Sequence, residues 1–374
     1  MDYKLIDELG YERNLADELK QEIQNNALMI QDLDELQDIA FMNEFDIEEL
    51  LISQCPNVVP KLSNPRIRVL NFYFCRIKYL NELKLPNLEA LTIFGDLDEQ
   101  DTVILQNFGD FKKLQQLMIR CYQDLDLKLI PELQLSVLGL TDCNLKNIEQ
   151  LTQFTKLDVL NLPQNPNIDI GPLAQMVQLT ELNLEGCRLK NVDSLRTLDQ
   201  LKDLCISNND KVNIHALQYR KQLTSLNLGY CSIIDLTYLM PLINLKQLNV
   251  TKNNIVYLEP LKVLKCITFL NATYNKIKDI SILHNHINFN QYLINNQLQV
   301  NEQDVIFANK LRDINAQITS LRQIRQQNFS LKNQISLNKD NTNLYLQHML
   351  CNLTQFTGQV VSLFQQLLVV QDAQ

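Results

Sequence analysis

The sequence repeats itself with a period of 22 residues, and this period limits the possible folds more than any other feature. The clearest copy runs from Leu179 to Leu189 and reads L-x-x-L-x-L-x-x-C-x-L. Seven successive steps of 22 residues connect the copies that begin at Leu135, Leu157, Leu179, Leu201, Leu223, Leu245, Ile267 and Phe289. Looser copies, with steps of 20, 21, 26 and 21 residues up to Leu135, begin at Ile47, Ile67, Leu88 and Leu114. Twelve copies in one chain predict an array of stacked structural repeats.

Each copy predicts one coil of such an array. The two apolar residues of L-x-L alternate with an outward position, which is typical of a short strand with one buried side. After the ninth position the apolar residues follow at intervals of three, as in Leu189, Val192, Leu195 and Leu198, which favours 3-10 turns over an α-helix. A single coil cannot bury its own apolar side, so neighbouring coils must stack. The predicted fold class is α/β: a solenoid with a curved parallel sheet on the concave side and 3-10 or short helical turns on the convex side.

The ninth position of the frame alternates between cysteine and asparagine from Cys143 to Cys231, so a 44-residue double repeat overlies the shorter one. We expect these side chains to turn inward and bond to backbone groups of the loops, because buried backbone groups need partners. The chain has no C-x-x-C pair, and ligands on separate coils do not form a tetrahedral cage, so we predict no metal site. Cys205 falls outside this ladder, on the predicted concave side, and is a candidate exposed thiol.

Side chains between and directly after the two strand leucines should point to the concave side of the sheet, which is called the inner face below. Two groups of residues are candidate partner-binding residues, the first at these positions and the second beside the row of asparagines between the leucines. The first group lies on three successive predicted strands and comprises Tyr73, Phe94, Met118 and Arg120. The second group lies farther along the chain and comprises Tyr230, Phe269 and Tyr274, with the acidic Glu185 between the two groups. Aromatic, methionine and arginine side chains are enriched where proteins bind each other.

Other interpretations of these positions stay open. Exposed aromatic side chains can simply cover a sheet face without binding a partner. A row of asparagines between the leucines favours a solvated or self-bonded ladder over ligand recognition, and it comprises Asn161, Asn183, Asn227, Asn249 and Asn271. The acidic insert at residues 96–101, beside Phe94, is interpreted as a solvated loop, with contact to a basic partner as the alternative.

Both ends of the chain depart from the 22-residue frame. Residues 1–46 are predicted to be an acidic helical N-terminal cap, because Leu5, Leu9, Leu15 and Leu19 follow a helical spacing ahead of a capping turn at Leu28. The solenoid itself is predicted over residues 47–300. Residues 301–374 are predicted to form a helical hairpin or a coiled-coil segment, which either caps the last coil or mediates self-association.

The charge distribution argues against two classes of partner. Residues 1–50 hold fifteen acidic and three basic residues, a net charge of −12, which leaves +3 for the rest of the chain out of −9 in total. An acidic end and a nearly neutral body provide no footprint for nucleic acid and no attraction to an anionic membrane. The chain opens without a secretory signal and has no apolar run long enough to span a bilayer, so we expect a cytoplasmic or nuclear protein with reduced cysteines.

The sequence contains no recognisable catalytic constellation. It has no G-x-x-x-x-G-K phosphate loop, and its four histidines are scattered, without a nucleophile and an acid in a known order. We therefore predict that the protein is not an enzyme and that it uses no cofactor and no metal.

The repeated frame L-x-x-L-x-L-x-x-[NC]-x-[IL]-x-x-[IL]-x-x-L-x-x-L resembles the leucine-rich-repeat superfamily over residues 47–297. Its subtype is similar to the short-repeat class of the protein phosphatase 1 regulatory subunit. The array also looks like the expanded leucine-rich-repeat families of unicellular parasites. This resemblance implies a leucine-rich-repeat solenoid that works as a protein-binding scaffold.

Three hypotheses about function follow. The leading one is a non-catalytic scaffold that holds a partner protein on the inner face. The second is a regulatory or targeting subunit of a protein phosphatase. The third is a structural or cytoskeletal component that assembles through its C-terminal helices.

Overall fold

The structure, a computed structural model, describes residues 4–6, 12–14, 19, 22–33, 36, 39–75, 77, 80, 82–95, 111–122, 125–279 and 290–292. Two described strands, β1 (Lys4–Ile6) and β2 (Glu12–Asn14), pair antiparallel in a sheet of their own. Thirteen others form one parallel sheet in chain order: β3 (Ala27–Gln31), β4 (Glu49–Ser53), β5 (Val69–Tyr73), β6 (Ala90–Phe94), β7 (Gln116–Arg120), β8 (Val137–Thr141), β9 (Val159–Asn161), β10 (Glu181–Asn183), β11 (Asp203–Cys205), β12 (Ser225–Asn227), β13 (Gln247–Asn249), β14 (Phe269–Asn271) and β15 (Asn290–Tyr292).

Short 3-10 helices lie between the strands, as the intervals of three predict. The described ones are Ala40–Glu44, Leu127–Leu129, Glu149–Gln153, Gly171–Gln175, Asp193–Thr197, His215–Tyr219, Thr237–Leu239 and Glu259–Val263. Several are preceded by a side chain that accepts a hydrogen bond from the backbone N–H of the first helical residue, two positions later. Asn191 Oδ1, for example, accepts from the N–H of Asp193 at 3.1 Å. Such local bonds stabilise a turn instead of a longer helix.

The core lies between the sheet and the 3-10 turns. Along β10, Leu182 is 3% exposed, and Leu184 just after the strand is completely buried. The apolar residues at intervals of three are buried as well, among them Val192, Leu195 and Leu198. The predicted stacking around one continuous apolar interior is therefore confirmed.

The strand register confirms the repeat lengths over most of the array. From β8 to β14 each strand pairs with the residue 22 positions later, as in Val137 with Val159 and Gln247 with Phe269. The looser steps of 20, 21, 26 and 21 residues reappear between β4 and β8. The last step was predicted wrongly, because β14 pairs with β15 at an offset of 21 residues, so that Tyr292 stands opposite Asn271 and not Leu270. A shift of one residue exchanges the two faces of a strand, so the last copy of the frame does not continue in the predicted register.

Asparagine at the ninth frame position bonds to backbone groups of two coils. Asn165 Oδ1 accepts from the N–H groups of Cys143 and Leu145, at 3.1 and 3.0 Å. Its Nδ2 donates to the carbonyl of Leu140 at 2.7 Å. Asn253 makes the equivalent bonds four coils later. The prediction that these side chains turn inward to satisfy the loops is confirmed.

Cysteine at the same position satisfies its loop differently. Cys187 Sγ donates to the carbonyl of Leu162 at 3.2 Å, but a thiol is a weak acceptor for backbone N–H groups. In the preceding coil, the N–H of Asn167 bonds instead to the backbone carbonyl of Cys187 at 2.8 Å, with Asn167 at a φ of +63°. Lys211 and Cys231 repeat this bond at 3.0 Å. The 44-residue double repeat thus reflects two alternating ways of pairing the same backbone groups.

The structure corrects two predictions at the N-terminal end. The single acidic helix is wrong at residues 4–6 and 12–14, because β1 and β2 are strands that pair Leu5 with Arg13, whereas Leu19 and Glu22 are helical. The helical spacing ran across Gly10, and a glycine between two short segments favours a turn. The predicted capping turn at Leu28 is the strand β3, which pairs with β4 over five residues. A paired strand provides the backbone partners that an open sheet edge lacks.

Two further predictions fall on residues that the structure does not describe. These are the acidic insert at residues 96–101 and the C-terminal helical hairpin or coiled coil at residues 301–374.

Candidate functional site

The inner face of the sheet is formed by side chains that alternate with the buried ones. In β5, Leu70 and Phe72 are buried, whereas Val69, Asn71 and Tyr73 are partly exposed. The inner face therefore includes the third frame position as well as the fifth and seventh. Sequence reasoning surveyed the fifth and seventh positions coil by coil, and apart from Phe269 it missed the third-position side chains.

The first predicted group forms one contiguous surface, called the N-terminal patch below. Tyr73, Phe94 and Arg120 are opposite one another at the ends of β5, β6 and β7. The rings of Tyr73 and Phe94 meet edge to face, with centroids 5.0 Å apart and planes at 81°. The guanidinium carbon of Arg120 lies 5.8 Å from the Phe94 centroid. Ring pairing and cation–π attraction hold these side chains in a fixed arrangement on the sheet.

Met118 extends the N-terminal patch towards β8. It lies on the same face of β7 as Arg120, two residues earlier, and is paired in register with Gly139. A Cβ atom at Gly139 would lie 2.5 Å from Met118 Sδ, so the glycine leaves the space that the thioether occupies. A flexible, polarisable side chain above bare backbone adapts readily to a partner surface.

The asparagine row of the inner face is engaged in local bonds. Asn183, Asn227, Asn249 and Asn271 each accept, through Oδ1, a hydrogen bond of 3.0 to 3.2 Å from the backbone N–H two residues later. Asn161 differs, because the residue two positions later is proline, which has no N–H. The self-bonded ladder that the sequence favoured is confirmed for these four residues.

Of the three residues in the second predicted group, the structure brings only Tyr230 and Tyr274 together. Tyr230 and Tyr274 flank Lys252, whose Nζ lies 4.7 Å from the Tyr230 ring centroid and 5.4 Å from the Tyr274 centroid. These three residues follow β12, β13 and β14 and are called the rim cluster below. Phe269 lies at the other end of β14, where that strand begins. Sequence reasoning selected Tyr230 and Tyr274 for their aromatic rings and passed over Lys252, which belongs to the same eighth frame position, just past the strand.

The eighth frame position is a left-handed turn that ends the strand segment. The φ angle is +59° at Tyr230, +50° at Lys252 and +56° at Tyr274. The other coils with a positive φ at this position have Asp32, Gln54, Phe74, Cys121, Asp142, Gln164, Gly186 and Asn208 there. The left-handed conformation costs L-residues roughly 1–2 kcal/mol, whereas glycine, asparagine and aspartate adopt it more readily. The aromatic residues of the rim therefore occupy a position that suits them poorly.

Carboxylates occupy the middle of the inner face. Glu185 Oε1 accepts a hydrogen bond from Asn208 Nδ2 at 2.7 Å. Glu181 and Asp203 stand opposite each other on β10 and β11, and both belong to the overlooked third position. Like charges in this arrangement repel each other, so the sheet gains no stability from them. They give the centre of the inner face a negative potential.

Burial raises the pKa of the ninth-position thiols, to about 12 for Cys75 and Cys143 and to about 11 for Cys187 and Cys231. A protonated thiol is a poor nucleophile and a poor metal ligand. Cys205 is half-buried on the inner face, and its Sγ lies 3.2 Å from the hydroxyl oxygen of Ser207.

Within the ranges given above, no group of three or more His, Cys, Asp or Glu side chains is placed to hold a metal ion. In the same part of the chain, no helix has the length and apolarity needed to traverse a bilayer.

Comparison with known proteins extends these observations. No family model matches the sequence, and neither does a curated protein. The fold is similar to an internalin, InlF, of Listeria monocytogenes str. 4b F2365, at 20% identity over 76% of this chain and 90% of the internalin, with a TM-score of 0.54. It is also similar to a chain of the mouse RP105/MD-1 complex, at 18% identity over 75% of this chain and 52% of the other, with a TM-score of 0.56. A chain of the TLR13–ssRNA13 complex matches at 20% identity over 73% of this chain and 45% of the other, with a TM-score of 0.53.

At these identities the similarity concerns the fold and not the function. Each coil contributes one strand and one turn. This arrangement accounts both for the strand offsets of 22 residues and for the asparagines and thiols that point inward. The closer resemblance to the phosphatase regulatory subunit stays a prediction. The repeat frame, the stacked coils and the structural neighbours agree that the chain has the fold of a leucine-rich-repeat solenoid.

Proposed function

We propose that the protein is a non-catalytic scaffold that holds a partner protein on its inner face, with the N-terminal patch as the main contact. The stack of Tyr73, Phe94 and Arg120 supports this proposal, because two aromatic rings and a guanidinium are ordered side by side on an open sheet. Aromatic and arginine side chains dominate the binding energy of many protein interfaces. Scaffolds of leucine-rich repeats are typically non-catalytic.

The partner class follows from charge. Among the structural neighbours, one is solved with a protein, MD-1, and one with single-stranded RNA. In this chain Glu181, Asp203 and Glu185 place carboxylates on the same face as the N-terminal patch. Nucleic-acid binding depends on neutralising phosphates with basic side chains, so these carboxylates favour a protein over RNA. A cytoplasmic or nuclear location, and the phosphatase and cytoskeletal alternatives, stay predictions.

The test is a double substitution in the N-terminal patch. We expect Tyr73→Ala with Phe94→Ala to weaken binding of a partner, recovered by affinity capture and then purified, by at least about tenfold, because interface aromatics often contribute 2 kcal/mol or more. Isothermal titration calorimetry measures the dissociation constant of the parent and of the variant.

The matched control is Ser225→Ala with Gln247→Ala, which changes two inner-face residues on β12 and β13. This control should bind like the parent protein, and both variants should keep the parent's circular dichroism spectrum. A double variant of the N-terminal patch that binds with unchanged affinity would refute the proposal.

A further inference from the structure

The rim cluster combines backbone strain with exposure. Tyr230 and Tyr274 have left-handed backbones, yet their side chains are 46% and 52% exposed, so burial does not account for aromatic residues there. Two coils of the same array have Gly186 and Asn208 at the equivalent position, where these residues avoid most of the strain. The fold imposes the left-handed turn at this position but not the choice of tyrosine, so a poorly suited residue that is also exposed points to a function of its side chain.

The side chains of the rim cluster converge on one positive charge. Lys252 Nζ lies between the rings of Tyr230 and Tyr274, 4.7 and 5.4 Å from their centroids. A side-chain hydrogen bond with Tyr230 raises the pKa of Lys252, so the ammonium group stays protonated. Within the described part of the chain, no carboxylate forms an ion pair with it. An ammonium group and two phenols therefore face solvent together as hydrogen-bond donors.

We propose that the rim cluster is a second binding site, and that it takes an acidic side chain of a peptide segment. The ammonium group of Lys252 binds the carboxylate, the phenols of Tyr230 and Tyr274 donate to its oxygens, and the rings contact the adjoining methylene groups. Hydrogen bonds between charged groups are about twice as strong as neutral ones, and the rings shield them partly from water. An aspartate or glutamate next to an aliphatic residue fits this chemistry.

This site is separate from the N-terminal patch. Seven strand steps separate β5 from β12, which at a spacing of about 4.8 Å amounts to roughly 34 Å along the sheet. The rim cluster therefore does not depend on the proposed function of the N-terminal patch, and either proposal can fail without the other.

The experiment uses the full chain labelled with 3-fluorotyrosine and observed by fluorine NMR. The probe is a terminally blocked peptide, acetyl-Leu-Asp-Glu-Asp-Leu-amide, titrated at low ionic strength. Its matched controls are the amide peptide acetyl-Leu-Asn-Gln-Asn-Leu-amide and inorganic phosphate. We expect saturable shifts of the Tyr230 and Tyr274 signals with the acidic peptide alone, and at least tenfold weaker binding by the Lys252→Gln variant.

Two further variants separate binding from folding. Tyr230→Asn and Tyr274→Asn remove the rings and also relieve the left-handed strain, so their urea midpoints should equal or exceed that of the parent while peptide affinity falls at least tenfold. Gln164→Asn, which relieves the same left-handed strain in another coil, should also give a urea midpoint equal to or above that of the parent, but should leave peptide binding unchanged.

Three results would overturn the proposal. The first is an equal response to the neutral peptide or to phosphate alone. The second is unchanged binding of the acidic peptide by Lys252→Gln. The third is a clear loss of stability in both tyrosine variants, which would show that the rings serve the fold.

Discussion

Burial keeps four cysteine thiols of this protein protonated. The thiols of Cys75, Cys143, Cys187 and Cys231 lie inside the array and donate to backbone carbonyls, so each is stabilised in its neutral form. Desolvation opposes the thiolate and raises each pKa from 9.0 to about 11 or 12. Folding and protonation of these thiols therefore favour each other.

Alkaline pH should consequently destabilise the protein. The folded pKa of Cys143 is about 12, above its ordinary value of 9.0, so its contribution is complete below pH 9 and decreases as the pH rises towards 12. The loss amounts to about 1.4 kcal/mol per thiol for each pH unit in that window. We expect the urea midpoint of Cys143→Ala to fall less between pH 8 and pH 10 than the midpoint of the parent. If the urea midpoints of the parent and of Cys143→Ala fell equally, the effect could not be assigned to the Cys143 thiol. Lys262→Gln is the control for a general effect of charge.

A single coil is held together by its backbone bonds as much as by its leucines. Asn165 pairs two N–H groups of the preceding coil and also donates to loop carbonyls, whereas Cys187 donates only to carbonyls. Removing a partner from a buried backbone group costs about 1–3 kcal/mol for each group left unpaired. The asparagine coils are therefore more sensitive to substitution than the cysteine coils, although both types fill the same frame position.

This difference can be measured on two adjacent coils. We expect Asn165→Ala to lower the free energy of unfolding by about 3 kcal/mol or more, because at least two N–H groups lose their acceptor. Cys187→Ala should cost about 1 kcal/mol, since it loses a weak thiol bond and a small volume. Urea denaturation monitored by circular dichroism compares the two variants. Equal costs would mean that the amide bonds contribute little.

At the scale of the molecule, the described coils form an array in which each packs against its sequence neighbours. The sheet follows chain order from β3 to β15, so none of these described strands pairs with a distant part of the sequence. Stability in such an array is approximately a sum of coil and nearest-neighbour terms. A defect in one coil should therefore spread over short distances only.

Hydrogen exchange can test how far such a defect spreads. Leu184 is completely buried, so Leu184→Ala should cost about 2–5 kcal/mol by leaving a cavity. We expect faster amide exchange in β9, β10 and β11, with β4 and β5 unchanged, when exchange is followed by mass spectrometry. Ser225→Ala is the surface control. Uniformly faster exchange from β4 to β14 would show that the array unfolds as one cooperative unit.

Much of the array was predictable because its signals are local. The alternation of L-x-L and the intervals of three correctly predicted the buried Leu182, Leu184 and Leu195. The contact of Tyr73 with Phe94 was within reach as well, because equal frame positions become neighbours once coils stack. Lys252 escaped prediction because a lysine in a turn is common in any sequence, and only the folded array places its ammonium group between the rings of Tyr230 and Tyr274.

The sequence by itself determined the repeat, the buried positions and the pairing of equal frame positions, since each depends on spacings within one or two coils. Only the tertiary structure decided that Leu28 belongs to a strand, that β15 pairs one residue out of frame, and that Lys252 lies between two tyrosine rings. These features depend on which backbone groups remain unpaired and where side chains turn after stacking. Residues 22 positions apart in sequence become neighbours only in the folded array.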